Sequence, residues 1–232
     1  MEEIKDREQL ETYLKTCQIE SIFNRQIRPH LSLYRFNPGE LICSQGDIAE
    51  YLYVLVKGKI KIYTTSPEGK TLILSFKTPL EIIGDIEYVQ QINFINTVEA
   101  VSPVFMIGVD DHWLRKYGDD DPRLLRSILE IITRKFHIKS NSLSFNLMYP
   151  VEVRLASYIL SVSFDVSDDQ FKGWLNSTSL TDAANLIGTS YRHLNRVIRK
   201  LCSEGLIERN KGLIVVKDRK GLSTLAGRNI YE

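Results

Sequence analysis

The stretch 179–201, SLTDAANLIGTSYRHLNRVIRKL, decides how the rest of the chain is read. It has the pattern of two short helices around a tight turn. Thr181 can cap the first helix. Ala183, Ala184, Leu186 and Ile187 give that helix a small-residue apolar face, which a second helix can approach closely. Gly188 stands where the chain must reverse, a place for a residue free to take positive φ. Ser190 is a natural N-cap, because its hydroxyl can accept a hydrogen bond from an orphan backbone N–H. In the second helix, Leu194, Val197, Ile198 and Leu201 recur at helical spacing and predict a core face. Arg192, Asn195, Arg196 and Arg199 fall on the other side, with Lys200 at its edge.

A helix seated on one side and offering guanidiniums and amides on the other suits a DNA major groove. Arginine can take guanine O6 and N7 together, and asparagine can do the same at adenine. The alternative is a solvated basic face on an ordinary core helix. Cap, turn glycine, core spacing and basic face coincide in one window, which favours the groove. The sequence that follows agrees. Ser203-Glu204-Gly205 ends the helix, and Leu206-Ile207-Glu208-Arg209 and Leu213-Ile214-Val215-Val216 read as strands around the short loop Asn210-Lys211-Gly212. Helix, turn, helix and hairpin make a winged helix. Lys211 at the hairpin tip can touch phosphate or simply keep the tip soluble.

The charge of the chain is placed to match. Its 232 residues carry a net charge of only +1. From Thr178 onward, ten Lys or Arg stand against five Asp or Glu, a net of +5, whereas the remainder has twenty against twenty-four, a net of −4. Cations that displace counterions from phosphate sit at the C-terminal end. The acidic remainder is expected to do something else. Hydrophobic content of 43% and charged content of 25% describe a globular protein. No apolar run is long enough to span a bilayer, and the charged N-terminus, MEEIKDREQLETYLK, has no signal-peptide core, so no membrane partner and a cytoplasmic location are expected. Cys17, Cys43 and Cys202 are widely spaced and form no CxxC or His/Cys cluster, so neither a metal site nor an iron–sulfur cluster is expected. They are expected to be reduced and mostly buried. Cys17 is the one to test for redox chemistry.

Upstream, residues 3 to 32 have the pattern of an amphipathic helical segment, with Leu10, Leu14, Ile19, Ile22, Phe23 and Ile27 as its apolar points. From Leu33 the period becomes strand-like. Short strands alternate with turns such as Asn37-Pro38-Gly39-Glu40, Lys57-Gly58-Lys59 and Ser66-Pro67-Glu68-Gly69-Lys70, which predicts an antiparallel barrel or jelly roll. Helix returns near Asp110. Asp119, Asp120 and Asp121 before Pro122 are helix-start chemistry. The helix should run to about Leu147, with Leu125, Ile128, Ile132 and the Lys135–Phe136 turn at three- and four-residue steps, widened by Leu124, Leu129 and Ile131. So much apolar surface needs two neighbours. One is assigned to the barrel, the other to a second copy of the same helix, making a homodimer; the alternative is burial within one chain. Pro150 starts a further helix from Val151 to Ser163, followed by a polar loop at 165–176 with Trp174 as a core anchor. The fold class is therefore α+β, in three parts: a barrel with N-terminal helices at 1–115, a long central dimerisation helix at 116–149, and a winged helix-turn-helix at 150–232.

Two motifs, Ile83-Gly84-Asp85-Ile86-Glu87 and Gly188-Thr189-Ser190-Tyr191-Arg192-His193-Leu194, together with this element order, resemble the CRP/FNR family of bacterial transcription regulators across essentially the whole chain. The phrases SYRHL, LCSEGLI and DRKGLSTLA look like its YeiL-type branch. The resemblance implies a sequence-specific DNA-binding regulator, a homodimer on a pseudo-palindromic operator, whose cyclic-nucleotide-binding-like barrel senses an effector. It implies double-stranded DNA and a small-molecule effector as partners, with RNA polymerase as a further candidate. In cyclic-AMP-binding members a Gly-Glu pair holds the ribose and an Arg-Ser pair holds the phosphate. Gly84-Asp85 fills the first with a shorter carboxylate, and the second falls on Ile95-Asn96, where isoleucine cannot replace a guanidinium. No lysine or arginine lies between Lys77 and Arg115. Cyclic AMP is therefore not the expected effector, and a more apolar ligand or none is favoured; Glu87 and His112 are candidate polar contacts in such a pocket. His30, His112 or Cys17 leave haem open. The family's base-contacting positions map onto Tyr191, Arg192, Asn195 and Arg196. Only Arg196 matches the usual Arg-Glu, then Arg pattern, so the operator should differ from the familiar one. The DNA-facing set is then Ser190, Tyr191, Arg192, Asn195, Arg196, Arg199, Lys200 and Lys211.

Two other readings compete. The first is a small-molecule or haem sensor whose winged helix makes protein contacts, separable by the salt dependence of DNA binding. The second is a jelly-roll oxygenase. That would need a His/carboxylate metal set, and the arrangement of His30, His112, His137 and His193 does not supply one. With no nucleophile motif or phosphate loop either, an enzyme is not expected.

Overall fold

The computed structural model describes residues 1–69, 71–162, 180–181, 183–184, 187–210 and 213–227. Lys211, Leu186 and the 165–176 loop with Trp174 lie outside them. The chain divides into two compact units. The first is Met1–Thr65 with Lys77–Phe136, and the second is Ser66–Phe76 with His137–Glu232.

The first unit is built on antiparallel strands. One sheet runs β1-β2-β9-β4-β7, where β1 is Glu2–Ile4, β2 Leu31–Phe36, β4 Tyr51–Lys57, β7 Ile82–Ile83 and β9 Val104–Asp110. In a second sheet β3 (Leu41–Cys43), β8 (Thr97–Ala100) and β5 (Ile60–Thr65) lie side by side; β6 (Thr71–Lys77) falls in the second unit except for Lys77. Alternation along β4 explains the layering. Leu52, Val54 and Val56 join a core shared with the helices, whereas Tyr53 and Leu55 fill the barrel interior with Phe36, Ile60, Val98 and Met106. Gly58 takes φ +94° at the β4–β5 turn, and a Cβ there would lie 2.3 Å from Pro103 O.

The N-terminal segment corrects the expectation of helix from 3 to 32. Residues 2–4 form an edge strand on β2, in the register Glu2↔Arg35 to Ile4↔Leu33. The segment's α-helix is α1, Arg7–Thr16, capped by Asp6 accepting from Gln9 N, and a single 3-10 turn follows at Arg28–His30. Gln18 then turns the chain away at φ +55°. Beyond it the Asn24 side chain accepts from Gln26 N and Ile27 N while donating to Tyr117 O and Asp121 Oδ2. Local side-chain bonds of this kind outcompete a helix. The apolar points themselves are core, since Leu10, Leu14, Ile19, Phe23 and Ile27 are all buried.

Helices α2 (Asp85–Gln90) and α3 (Asp111–Gly118) follow, then α4, continuous from Pro122 to Met148. The inner face of α4 places Leu124 and Ile128 in the core of the first unit. Leu125, Leu129 and Phe136 on the other side are 40%, 65% and 72% exposed, and Leu143 and Leu147 continue exposed along the helix. In the second unit α5 (Val151–Val162), the helical residues Leu180, Thr181, Ala183 and Ala184, α6 (Tyr191–Ser203), the hairpin β10 (Ile207–Asn210) and β11 (Leu213–Val216), and α7 (Arg219–Ala226) surround one core. Thr181 lies within its helix rather than at the cap.

Candidate nucleic-acid interface

The seat of α6 is apolar and tight. Leu194, Val197, Ile198 and Leu201 are at most 2% exposed, packed with Ala183, Ala184, Leu155 and Ile159. The small side chains allow the close approach expected of a helix-turn-helix. Gly188 makes the turn at φ +67°. Thr189 N donates to Ala184 O at 2.8 Å, and Ser190 caps α6 by accepting from His193 N at 3.2 Å. At the far end Glu204 N bonds Lys200 O, and Gly205 takes φ +73° before the hairpin.

The opposite face is cationic and open. Ser190, Tyr191, Arg192, His193, Asn195, Arg196 and Arg199 line a cleft of about 750 Å³, and Arg209 from β10 joins them. Arg192, Arg196 and Arg199 are exposed and make no ion pair among the described residues. The cleft thus collects four guanidiniums, with no carboxylate among the described residues that line it. Lys200 does not line it; its ammonium turns back toward Glu152 at 3.9 Å. Asn195 is held from two sides, its Nδ2 donating to Tyr191 O and its Oδ1 accepting from Arg209 Nη1, each at 3.0 Å.

Sequence reasoning misses Arg209, yet strand alternation points to it. It shares a face with Ile207 and stands opposite Ile214 in the hairpin register, and both isoleucines are buried in the core beneath α6.

The candidate effector positions lie in the first unit, where the Asp85 and Glu87 carboxylates already have partners within the protein. Gly84 takes φ +93° at the start of α2, where a Cβ would lie 2.7 Å from Tyr51 O. Asp85 is 3% exposed and faces the Lys135 ammonium. Lys135 Nζ donates to Ile82 O at 2.6 Å and to Asp85 Oδ1 at 3.0 Å, and lies 2.9 Å from Glu81 Oε1, while Glu81 Oε2 faces Lys77 at 3.8 Å. Burial alone would lower the Lys135 pKa, but Asp85 and Glu81 outweigh it and hold the ammonium above the ordinary lysine range. Glu87 is buried and accepts from Ile95 N at 3.1 Å. Asn96 O faces the Cys43 thiol, which burial, Glu87 and Asp47 push up to about 12. Ile95 is 41% exposed. The barrel's open cavity, about 560 Å³, is lined by other residues, including Cys43, Asp47, Glu50, Tyr51, Tyr53 and Phe94. His30 stacks on Trp113 at 3.8 Å, and His112 is exposed, its ring edge-on to Trp113.

A capped helix with a cationic outer face, flanked by a hairpin and carried by a chain that also holds an antiparallel barrel, is the arrangement of a winged-helix regulator. Comparison with known proteins agrees. Residues 33–117 match the cyclic nucleotide-binding domain and residues 153–225 the Crp-like helix-turn-helix domain. The chain belongs to the CRP/FNR family of transcription regulators, with a DNA-binding helix-turn-helix. It is 26% identical over 216 residues to the regulatory protein YeiL of Escherichia coli O157:H7, covering 93% of each chain. In fold it is similar to a putative CRP/FNR regulator from Eubacterium rectale, with a TM-score of 0.71 at 19% identity over 94% of this chain and 100% of that one. It is also similar to a CRP/FNR regulator from Thermus thermophilus, with a TM-score of 0.65 at 21% identity over 85% of this chain and 99% of that one.

Proposed function

We propose that this chain acts as a homodimer, reads a pseudo-palindromic operator by laying the exposed face of α6 in successive major grooves, and answers to an effector other than cyclic AMP. The observation that carries the reading is the α6 cleft, where four guanidiniums converge on a rigidly seated, capped helix. Arg196, Arg192 and Tyr191 are the side chains assigned to bases, with Arg199 and the N-terminal turn at Ser190 assigned to phosphate.

Dimerisation is supported by the outer face of α4. Leu125, Leu129, Phe136 and Leu143 are exposed at the steps of a coiled-coil seam, with the partly buried Ile132 at its edge and Lys139 interrupting it. A cyclic nucleotide is disfavoured because Asp85, the counterpart of the ribose-holding carboxylate, already has an ammonium partner. Adding a phosphate there would set an anion beside the buried Asp85 and partly buried Glu81 carboxylates, whose ammonium partners among the described residues are Lys135 and Lys77.

The test uses the full chain. Selection from a randomised duplex pool should enrich an inverted repeat whose half-sites lie about 10 base pairs apart, bound by two chains, with affinity falling steeply as salt rises. Binding that ignores salt, or the absence of any enriched sequence, would overturn it.

A further inference from the structure

The contact between Asn195 and Arg209 changes which side chain can read a base. An asparagine that reads adenine must offer its oxygen to N6 and its amino group to N7 in one plane. Each end of the Asn195 amide already makes one bond to the protein, the nitrogen to Tyr191 O and the oxygen to Arg209, which fixes the amide's orientation and leaves it one N–H and one lone pair. The guanidinium is less encumbered. It has five N–H donors, and this contact uses one. Arg209 belongs to the face of β10 that turns toward α6, and its head ends in the same cleft as Arg192, Arg196 and Arg199. Hairpin residues that touch DNA only through phosphate need no such fastening. Here an arginine from the hairpin is drawn onto the reading helix and held in place by a neutral amide, which supplies orientation without cancelling the charge.

We propose that Arg209 is a specificity-determining residue of the DNA interface, delivered from the hairpin, and that Asn195 is the positioning residue that aims it. This rests on the DNA-reading function above. Arginine's planar fork, not its charge alone, is the feature that takes guanine O6 and N7 together.

The experiment repeats the duplex selection with the full chain and with Arg209→Ala, Arg209→Lys, Asn195→Ala and the double alanine variant. All these positions are exposed or half-buried, and circular dichroism checks that each variant folds. Arg209→Ala and Arg209→Lys are expected to lose the base preference at one and the same position of each half-site. Affinity for the duplex selected by the wild type should fall roughly 5- to 150-fold, while Arg209→Lys keeps its affinity for unrelated duplexes. Asn195→Ala should blur that same position, and the double variant should do no more than Arg209→Ala. Three results would sink the proposal: unchanged preferences in Arg209→Ala, a preference fully restored by lysine, or Asn195→Ala erasing a different position. If the wild type enriches no sequence, the DNA-reading function itself fails, a result distinct from all three.

Discussion

At the scale of single residues, the most consequential side chain outside the DNA interface is Lys135. It is three-quarters buried and faces two carboxylates and a carbonyl. Removing one partner of a buried pair leaves the others uncompensated, so Lys135→Met should destabilise the protein by about 3 kcal/mol. Its folded pKa is raised above the unfolded value. The stabilisation is therefore complete below the unfolded lysine pKa of about 10.4 and is lost as pH rises through the higher folded value. Urea midpoints of wild type and Lys135→Met, measured from pH 7 to 11, should differ by a constant gap that narrows only at the alkaline end; a gap that narrows below pH 9 would contradict the pairing. At the interface, Arg196→Ala should cost roughly 1–3 kcal/mol on the selected operator and relax one base position. Equal weakening on every duplex would assign Arg196 to phosphate. Neither Lys135 nor Arg209 can be placed by local pattern in the same way as Ser190. A cap is a three-residue event, whereas Lys135 meets Asp85 across 50 residues and Arg209 meets Asn195 across 14.

At the scale of elements, α6 depends on its entry. Ser190→Ala removes the bond to His193 N and should lower stability by about 1 kcal/mol, with DNA affinity reduced as the first turn frays. Thermal unfolding and duplex titration would together detect both effects. The reader is legible in sequence because each of its signals is local: an N-cap, a positive-φ glycine and a 3.6-residue apolar period with cations opposite. The barrel strands are legible for a similar reason, through alternation and turn glycines. The N-terminal segment is not. Its apolar spacing fits a helix, but strand pairing of Glu2–Ile4 with β2, a left-handed Gln18 and the side-chain bonds of Asn24 are tertiary or turn events that spacing does not encode. Spacing there identifies the buried residues without identifying the backbone that buries them.

At the scale of the whole molecule, two properties follow from the distribution of apolar and charged surface. Phe136, 72% exposed on α4, can be replaced without disturbing a core. Phe136→Glu should shift sedimentation from a two-chain to a one-chain species and reduce cooperative operator binding; an unchanged two-chain species would place the interface elsewhere. Cyclic AMP at millimolar concentration should leave the melting temperature unmoved, since a ligand stabilises the fold only when its concentration approaches or exceeds its dissociation constant. The anchoring of Lys135 also bears on where α4 turns its apolar stripe. Successive residues on a helix are about 100° apart, and Lys135 immediately precedes Phe136. Pegging the ammonium to Ile82 and Asp85 therefore fixes the roll of this part of α4, and with it the direction in which Leu129 and Phe136 look out. A barrel that released this peg would let the rod rotate about its axis, carrying the stripe out of alignment with any twin facing it.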